Sequence, residues 1–80
     1  MESVSFIREI YFYFESGFNC WLLCDNGYVD SETLDVDRSA DFEAQFSDAC
    51  EIVGVIMQER GIEAFTIENA GDCWKVVPIC

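Results

Sequence analysis

The chain has 80 residues, a formal net charge of −12 and 51% hydrophobic residues. This length suits one small domain with no second core, and an aromatic fraction of 15% excludes a disordered tail. Sixteen acidic residues against four basic ones argue against direct binding to nucleic acid or to an anionic membrane, because both repel negative charge. We expect a single acidic domain over residues 1–80.

The first three predicted elements are β-strands. Apolar and polar residues alternate from Val4 to Glu15, which is the period of a strand. A break at Ser16-Gly17 leads to a return strand over residues 18–24. The Asn26-Gly27 dipeptide then predicts a type I′ hairpin turn into a third strand over residues 28–36. The more polar character of this third strand is typical of a sheet edge.

A helix of about twenty residues is predicted next, from the 3.6-residue spacing of its apolar positions. Ser39 is a good N-cap, and Asp41 and Glu43 lie in the first turn, where the helix dipole favours acids. Arg60 is the expected last helical residue and Gly61 follows it. The apolar face consists of Phe42, Phe46, Ala49, Cys50, Val53, Ile56 and Met57.

Two more strands, over residues 62–68 and 73–79, are predicted to form a hairpin around residues 69–72. The order is therefore β-β-β-α-β-β. Strand directions allow an antiparallel sheet throughout when the fifth strand lies beside the first, in the order 4-5-1-2-3. We expect a two-layer α+β fold with one helix on one face of the sheet.

The sheet face that the helix leaves open is not plainly polar. Ile7, Tyr11 and Tyr13 lie on it, with Trp21 and Leu23 if the second strand keeps its alternation. An apolar surface of several hundred Å² on a small domain usually marks an interface. The pattern predicts a homodimer or another partner docked on this face, and the alternative is a bent sheet that curls over to hide it.

The sequence lacks the residue spacings that are typical of catalytic and metal-binding sites. Histidine is absent, which removes the commonest general base and zinc ligand. Cys20 and Cys24 are four strand residues apart, about 13 Å, which is too far for one tetrahedral zinc. The acid-rich segment 25–37 fails the EF-hand spacing, and no glycine-rich phosphate loop is present. We expect no enzyme activity, no cofactor and no metal site.

The thiols and the N-terminal sequence bear on the compartment. An odd number of cysteines without a secretion signal predicts reduced thiols and a cytoplasmic location. No run of apolar residues is long enough to span a membrane. Pairing of Cys73 with Cys80 stays open, because a chain end can move. The cysteines are Cys20, Cys24, Cys50, Cys73 and Cys80.

Acids are concentrated between Asp25 and Glu51, where Arg38 is the single base. One interpretation is a solvated face that aids solubility. The functional interpretation is an array of carboxylates that occupies the basic groove of a nucleic-acid-binding protein, with binding that weakens steeply with salt. The acids are Asp25, Asp30, Glu32, Asp35, Asp37, Asp41, Glu43, Asp48 and Glu51.

These acids, together with the aromatic residues Tyr11, Tyr13 and Trp21, resemble in bulk the small acidic inhibitors encoded by phages, among them anti-CRISPR proteins and nucleic-acid mimics. The resemblance is one of class, without a shared motif. It implies a non-enzymatic inhibitor in the host cytoplasm that blocks nucleic-acid binding by a CRISPR-Cas effector complex. The aromatic residues would supply an apolar anchor. The charge would come from Asp30, Glu32, Asp35, Asp37, Asp41 and Glu43.

Two other functions fit the same sequence. An immunity or antitoxin protein would use the acids to neutralise a basic nuclease toxin. A homodimeric structural accessory protein would keep them for solubility alone, and it would retain no basic partner.

Overall fold

The structure is a computed structural model that describes residues 8–26 and 31–79. Its elements follow the predicted order β-β-β-α-β-β. The five strands form one sheet in the order β3-β2-β1-β5-β4, with all neighbours antiparallel. The α+β class and the strand order are therefore confirmed. The elements are β1 (Ile10–Glu15), β2 (Cys20–Asp25), β3 (Glu32–Leu34), α1 (Phe42–Glu59), β4 (Phe65–Asn69) and β5 (Trp74–Pro78).

The strands differ in length from their predicted bounds. Strand β2 begins two residues late, because residues 16–19 form a turn in which Asn19 has a φ of 53°. Strand β3 ends at Leu34, where the backbone N–H of Val36 donates to the Leu34 carbonyl at 3.0 Å. The predicted start of the first strand, Gly27 of the hairpin turn and the first part of the third strand lie outside the described residues.

The helix begins two residues later than Ser39 predicts, since Asp41 is the N-cap. The extended backbone of Asp41, with ψ at 170°, lets its carboxylate accept from the Ala44 backbone N–H at 2.8 Å. Ser39 is not available for this role, because its hydroxyl donates to Asp37 at 2.6 Å. Capping of N3 by a side-chain oxygen satisfies one of the free donors at a helix start.

The helix ends in a Schellman motif one residue before the expected position. Gly61 has a φ of 84°, a left-handed conformation that costs other residues more. Its N–H donates to the Gln58 carbonyl at 3.1 Å, and the N–H of Ile62 donates to the Met57 carbonyl at 2.8 Å. These two bonds satisfy carbonyls that the helix end leaves open. Arg60 is the C-cap.

The core lies between the helix and one face of the sheet. Phe12 of the central strand is fully buried and is one of six aromatic rings that pack together, with centroids 4.8 to 6.4 Å apart. Aromatic pairs at such spacings add to the stability gained from burial. The rings belong to Phe12, Phe14, Trp21, Phe42, Phe46 and Trp74.

The prediction that Trp21 and Leu23 lie on the open sheet face is wrong. Trp21 is opposite Phe14 and Leu23 is opposite Phe12, and directly opposed residues of neighbouring strands share a face. The four-residue turn sets this register, because it places even-numbered residues of β1 opposite odd-numbered residues of β2. Trp21 is 0% exposed, and its indole N–H donates to Gln45 Oε1 at 3.1 Å.

Candidate partner-binding surface

The β1–β2 turn and the start of the helix meet at one end of the domain. Here Arg38 Nη1 donates to the backbone carbonyl of Asn19 at 2.9 Å, which joins the connector between β3 and α1 to the turn. We call this region the acidic end; it comprises residues 16–19 and 35–43.

Four carboxylates of the acidic end are exposed: Asp35, Asp37, Asp41 and Glu43. Two of them are held by hydrogen bonds. Asp37 Oδ1 accepts from the backbone N–H of Ser39 at 3.0 Å and from its hydroxyl, and Asp41 caps the helix. The bonds from Ser39 lower the pKa of Asp37, so that this carboxylate keeps its charge to more acid pH. These two charges therefore have defined positions on the surface.

Two phenylalanines interrupt the negative charge of the acidic end. Phe18, in the β1–β2 turn, is 78% exposed, and Phe42, at the helix start, is 51% exposed. Phe42 also packs edge-on against Phe14, with ring centroids 6.1 Å apart. The sequence pattern predicts Phe18 as the first residue of the return strand, whereas the structure places it on the surface of the turn. The available signal was its place beside the Ser16-Gly17 break, since exposed turns are normally built from small and polar residues.

Asp25, at the other end of the helix, does not belong to any negative surface. Its side chain is 1% exposed and accepts from Arg8 Nη2 at 2.7 Å and from Arg60 Nη1 at 2.8 Å. Arg8 Nε also donates to the second oxygen of Asp25 at 3.0 Å. Arg60 Nη2 reaches Glu32 Oε1 at 2.8 Å. We call Arg8, Asp25, Glu32 and Arg60 the arginine cluster.

The expected set of partner-binding acids is therefore divided. Asp25 is buried, which corrects its assignment to the acidic surface, because a charge with this little access to water is stable only when paired. Glu32 is partly exposed, but its ion pair with Arg60 offsets its charge. Asp30 lies outside the described residues. Of the six acids that were expected to carry charge, the acidic end brings together Asp35, Asp37, Asp41 and Glu43.

The expected aromatic anchors are also separated. Tyr11 and Tyr13 lie on the open sheet face, half-buried, with their rings stacked at 6.2 Å. A hydrogen bond with Cys24 raises the pKa of Tyr11, and partial burial raises the pKa of Tyr13. Trp21 lies in the core on the opposite side of the sheet and cannot contact a partner. Half-buried neighbours on the open face are Cys20, Leu22, Cys24 and Val77.

Shallow depressions lie on the surface of the part of the chain that the structure describes, and two of them adjoin candidate residues. One, of about 190 Å³, lies beside the acidic end and includes Asp35 and Arg38 in its lining. The other, of about 230 Å³, lies on the open face between Tyr11 and Lys75. Both are smaller than the usual 300–1,000 Å³ of a pocket for a drug-sized ligand.

No known protein family, curated protein or solved structure matches this chain. Within residues 8–26 and 31–79, no group of three or more Cys, Asp or Glu side chains is arranged to hold a metal ion. Over the same residues, α1 is not apolar enough to cross a membrane. The cysteines in this part of the chain are all free thiols, namely Cys20, Cys24, Cys50 and Cys73.

Proposed function

We propose that this protein is a non-enzymatic inhibitor, similar in kind to anti-CRISPR proteins, that binds a basic nucleic-acid-binding effector through its acidic end. Occupation of the effector's phosphate-binding surface would exclude nucleic acid. The observation that supports this function is the set of four exposed carboxylates within residues 35–43, two of them fixed by hydrogen bonds.

Fixed carboxylates suit such a partner because its lysines and arginines are spaced to contact phosphates. A preformed array loses little side-chain entropy on binding, which favours affinity. The negative field of the domain also steers it toward a basic groove and raises the association rate at low salt. The lowered pKa of Asp37 preserves its charge to more acid pH than that of an ordinary aspartate.

We assign the apolar anchor of the proposed interface to Phe18 in place of Trp21. Phe18 belongs to the same end as the carboxylates, through the bond between Arg38 and Asn19. Large apolar side chains that become desolvated at the centre of an interface supply much of its binding energy. Tyr11 and Tyr13 belong to the open face, and they would contribute only to a partner that extends across the sheet.

The test compares two variants with equal net charge. Amide replacements keep an oxygen that can accept from Ser39 and Ala44, so the local structure is retained. Each variant changes the formal charge from −12 to −8. The acidic-end variant carries D35N, D37N, D41N and E43Q. The control variant carries E51Q, E59Q, E63Q and D72N, at exposed positions elsewhere.

Each protein is expressed in bacteria with active CRISPR-Cas systems of several types, and the efficiency of phage plating is measured. Mobility shifts of target DNA with the purified effector complex, at low and high salt, measure the same inhibition directly. We expect wild type and control to restore plating and to displace DNA in a salt-sensitive manner, and the acidic-end variant to fail in both assays.

Equal inhibition by both variants would refute the charge mechanism. Failure of the wild type against every effector would refute the anti-CRISPR assignment. The same pair of variants would then be tested for protection against a basic nuclease toxin encoded by a neighbouring gene, as expected of an immunity protein.

A further inference from the structure

Strand β4 has an outer edge that no strand covers in the part of the chain that the structure describes. Hydrogen bonds at its two ends fix which backbone groups face outward. The carbonyl of Ala64 accepts from the backbone N–H of Ile79 at 2.9 Å, and the N–H of Ala70 donates to the backbone carbonyl of Cys73 at 2.8 Å. In an antiparallel pair such bonds recur at every second residue. Even-numbered residues therefore face β5.

The odd-numbered residues of β4, which are Phe65, Ile67 and Asn69, consequently direct their N–H and C=O groups away from the sheet. Such a row of unpaired groups is a template for another extended backbone. Neither a proline nor a bulge protects it, and the single charged residue of the strand is Glu68.

The other outer strand, β3, is less suited to pairing with a copy of itself. It has three residues, one of which is Glu32, and the exposed Asp35 and Asp37 follow it closely. Two such edges would bring like charges together. At the β4 edge, Lys75 lies directly opposite Glu68 on the neighbouring strand and offsets its charge.

We propose that two copies of this chain associate through β4, antiparallel, with the twofold axis at Ile67. Ile67 then lies opposite Ile67 of the second copy, and Phe65 lies opposite Asn69 of the second copy. In this register all the outward N–H and C=O groups of the strand pair with each other. The two sheets become one continuous sheet with a closed, isologous contact.

The side chains of β4 are self-complementary in this register. Thr66 lies opposite Glu68 of the second copy, so that its hydroxyl can donate to that carboxylate. No two like charges are directly opposed, a pairing that would destabilise the contact. Ile67, half-buried in the single copy, meets its own counterpart on the helix side of the sheet.

The dimer leaves the acidic end uncovered, because no residue of β4 belongs to it. Two acidic ends would then be presented by one particle. This inference does not depend on the proposed function, because it rests only on the backbone and charges of the β4 edge.

Sedimentation equilibrium over a wide concentration range tests the dimer. The wild type should show reversible association from 9.1 kDa to twice that mass. I67P removes the N–H at the twofold axis, which β5 does not use, and proline is tolerated at such outward-facing edge positions. It should weaken association about tenfold or more. I67A, which shortens the side chain and keeps the N–H, is the matched control and should still dimerise.

Residue-resolved amide exchange of the unmutated protein is an independent measurement. The amides of Phe65, Ile67 and Asn69 should gain protection as concentration rises, whereas those of Thr66 and Glu68 should be protected at every concentration. A monomer throughout, without gain at the odd-numbered amides, would overturn the proposal. So would a dimer that survives I67P but is lost on L22K, since Leu22 lies on the open face.

Discussion

The two ends of the helix carry carboxylates in opposite circumstances. At its C-terminal end Asp25 is buried and bound by two guanidinium groups, one of them from the C-cap residue Arg60. At its N-terminal end Asp41 and Glu43 are exposed, and the helix dipole itself favours their charge. Arg38 is the base nearest to them in sequence, and it donates to a backbone carbonyl.

This difference shows that the number of acids does not measure the negative surface. A buried carboxylate with two arginines holds a strand and a helix end together, and it offers nothing to a partner. An exposed carboxylate that caps no helix and has no buried partner, such as Asp35, adds little to stability and remains accessible to a partner. Substitutions at the C-terminal end of the helix should therefore change mainly stability, and substitutions at its N-terminal end should change mainly binding.

The largest expected effect comes from the arginine cluster. Asp25→Ala removes the carboxylate that Arg8 and Arg60 both contact, and loss of one partner of a buried ion pair typically lowers the free energy of unfolding by about 3–5 kcal/mol. Asp35→Ala, at the acidic end, should change it by less than about 0.5 kcal/mol. Urea denaturation of both variants measures the contrast, and a similar loss in each would show that the two ends do not differ.

Substitutions of two aromatic residues, Trp21 and Phe18, should have different effects, the first on stability and the second on binding. Trp21→Phe shrinks a buried ring and leaves Gln45 Oε1 without the indole donor, which should lower the free energy of unfolding by roughly 1–3 kcal/mol. Phe18→Ser should leave stability nearly unchanged and weaken binding of the effector. Chemical denaturation and calorimetric titration with that effector measure the two effects. A stable Phe18→Ser that binds normally would exclude Phe18 as an anchor.

Asp41 has two roles, as the N-cap of α1 and as one of the proposed partner-binding charges, and two substitutions distinguish them. Asp41→Ala removes the acceptor for Ala44 and should lower the free energy of unfolding by about 1 kcal/mol. Asp41→Asn keeps the acceptor and should cost only a few tenths of a kcal/mol, so any loss of binding in that variant reports the charge. Thermal unfolding monitored by circular dichroism provides the measurement. Ser39→Ala is the control, and a larger effect there would restore Ser39 as the cap.

The smallest expected effect is a change in the pKa of Tyr11, on the open face. Cys24→Ala removes the hydrogen bond that raises the pKa of Tyr11, so this pKa should fall toward 10.0. The folded state holds the Tyr11 proton more tightly than the unfolded state does. This contribution to stability is therefore fully present below pH 10 and is lost as pH rises through the folded pKa. NMR titration of the Tyr11 ring measures the shift, and Cys20→Ala should leave it unchanged.

Local patterns were sufficient to predict most of the fold. The apolar spacing gave the helix and its buried face, and Gly61 marked its end, because glycine adopts the left-handed conformation there without strain. Strand directions gave the sheet order. The face of Trp21 was not predictable, because it depends on the length of the β1–β2 turn and therefore on register.

The sequence by itself determined the α+β class, the strand order, the negative net charge and the segment in which the acids are concentrated. It could not distinguish the buried, paired acids from the exposed ones, since burial and pairing depend on residues far apart along the chain. Asp25 lies 35 residues from Arg60, and only the packing of the helix end against the sheet brings them to 2.8 Å. Asp37 and Asp41 are held by neighbours two and three residues away, whereas the β1–β2 turn that carries Phe18 is joined to their segment by the hydrogen bond from Arg38 to Asn19. Tertiary structure alone decided which charges remain on the surface, because a charge loses its access to water only when the whole chain folds over it.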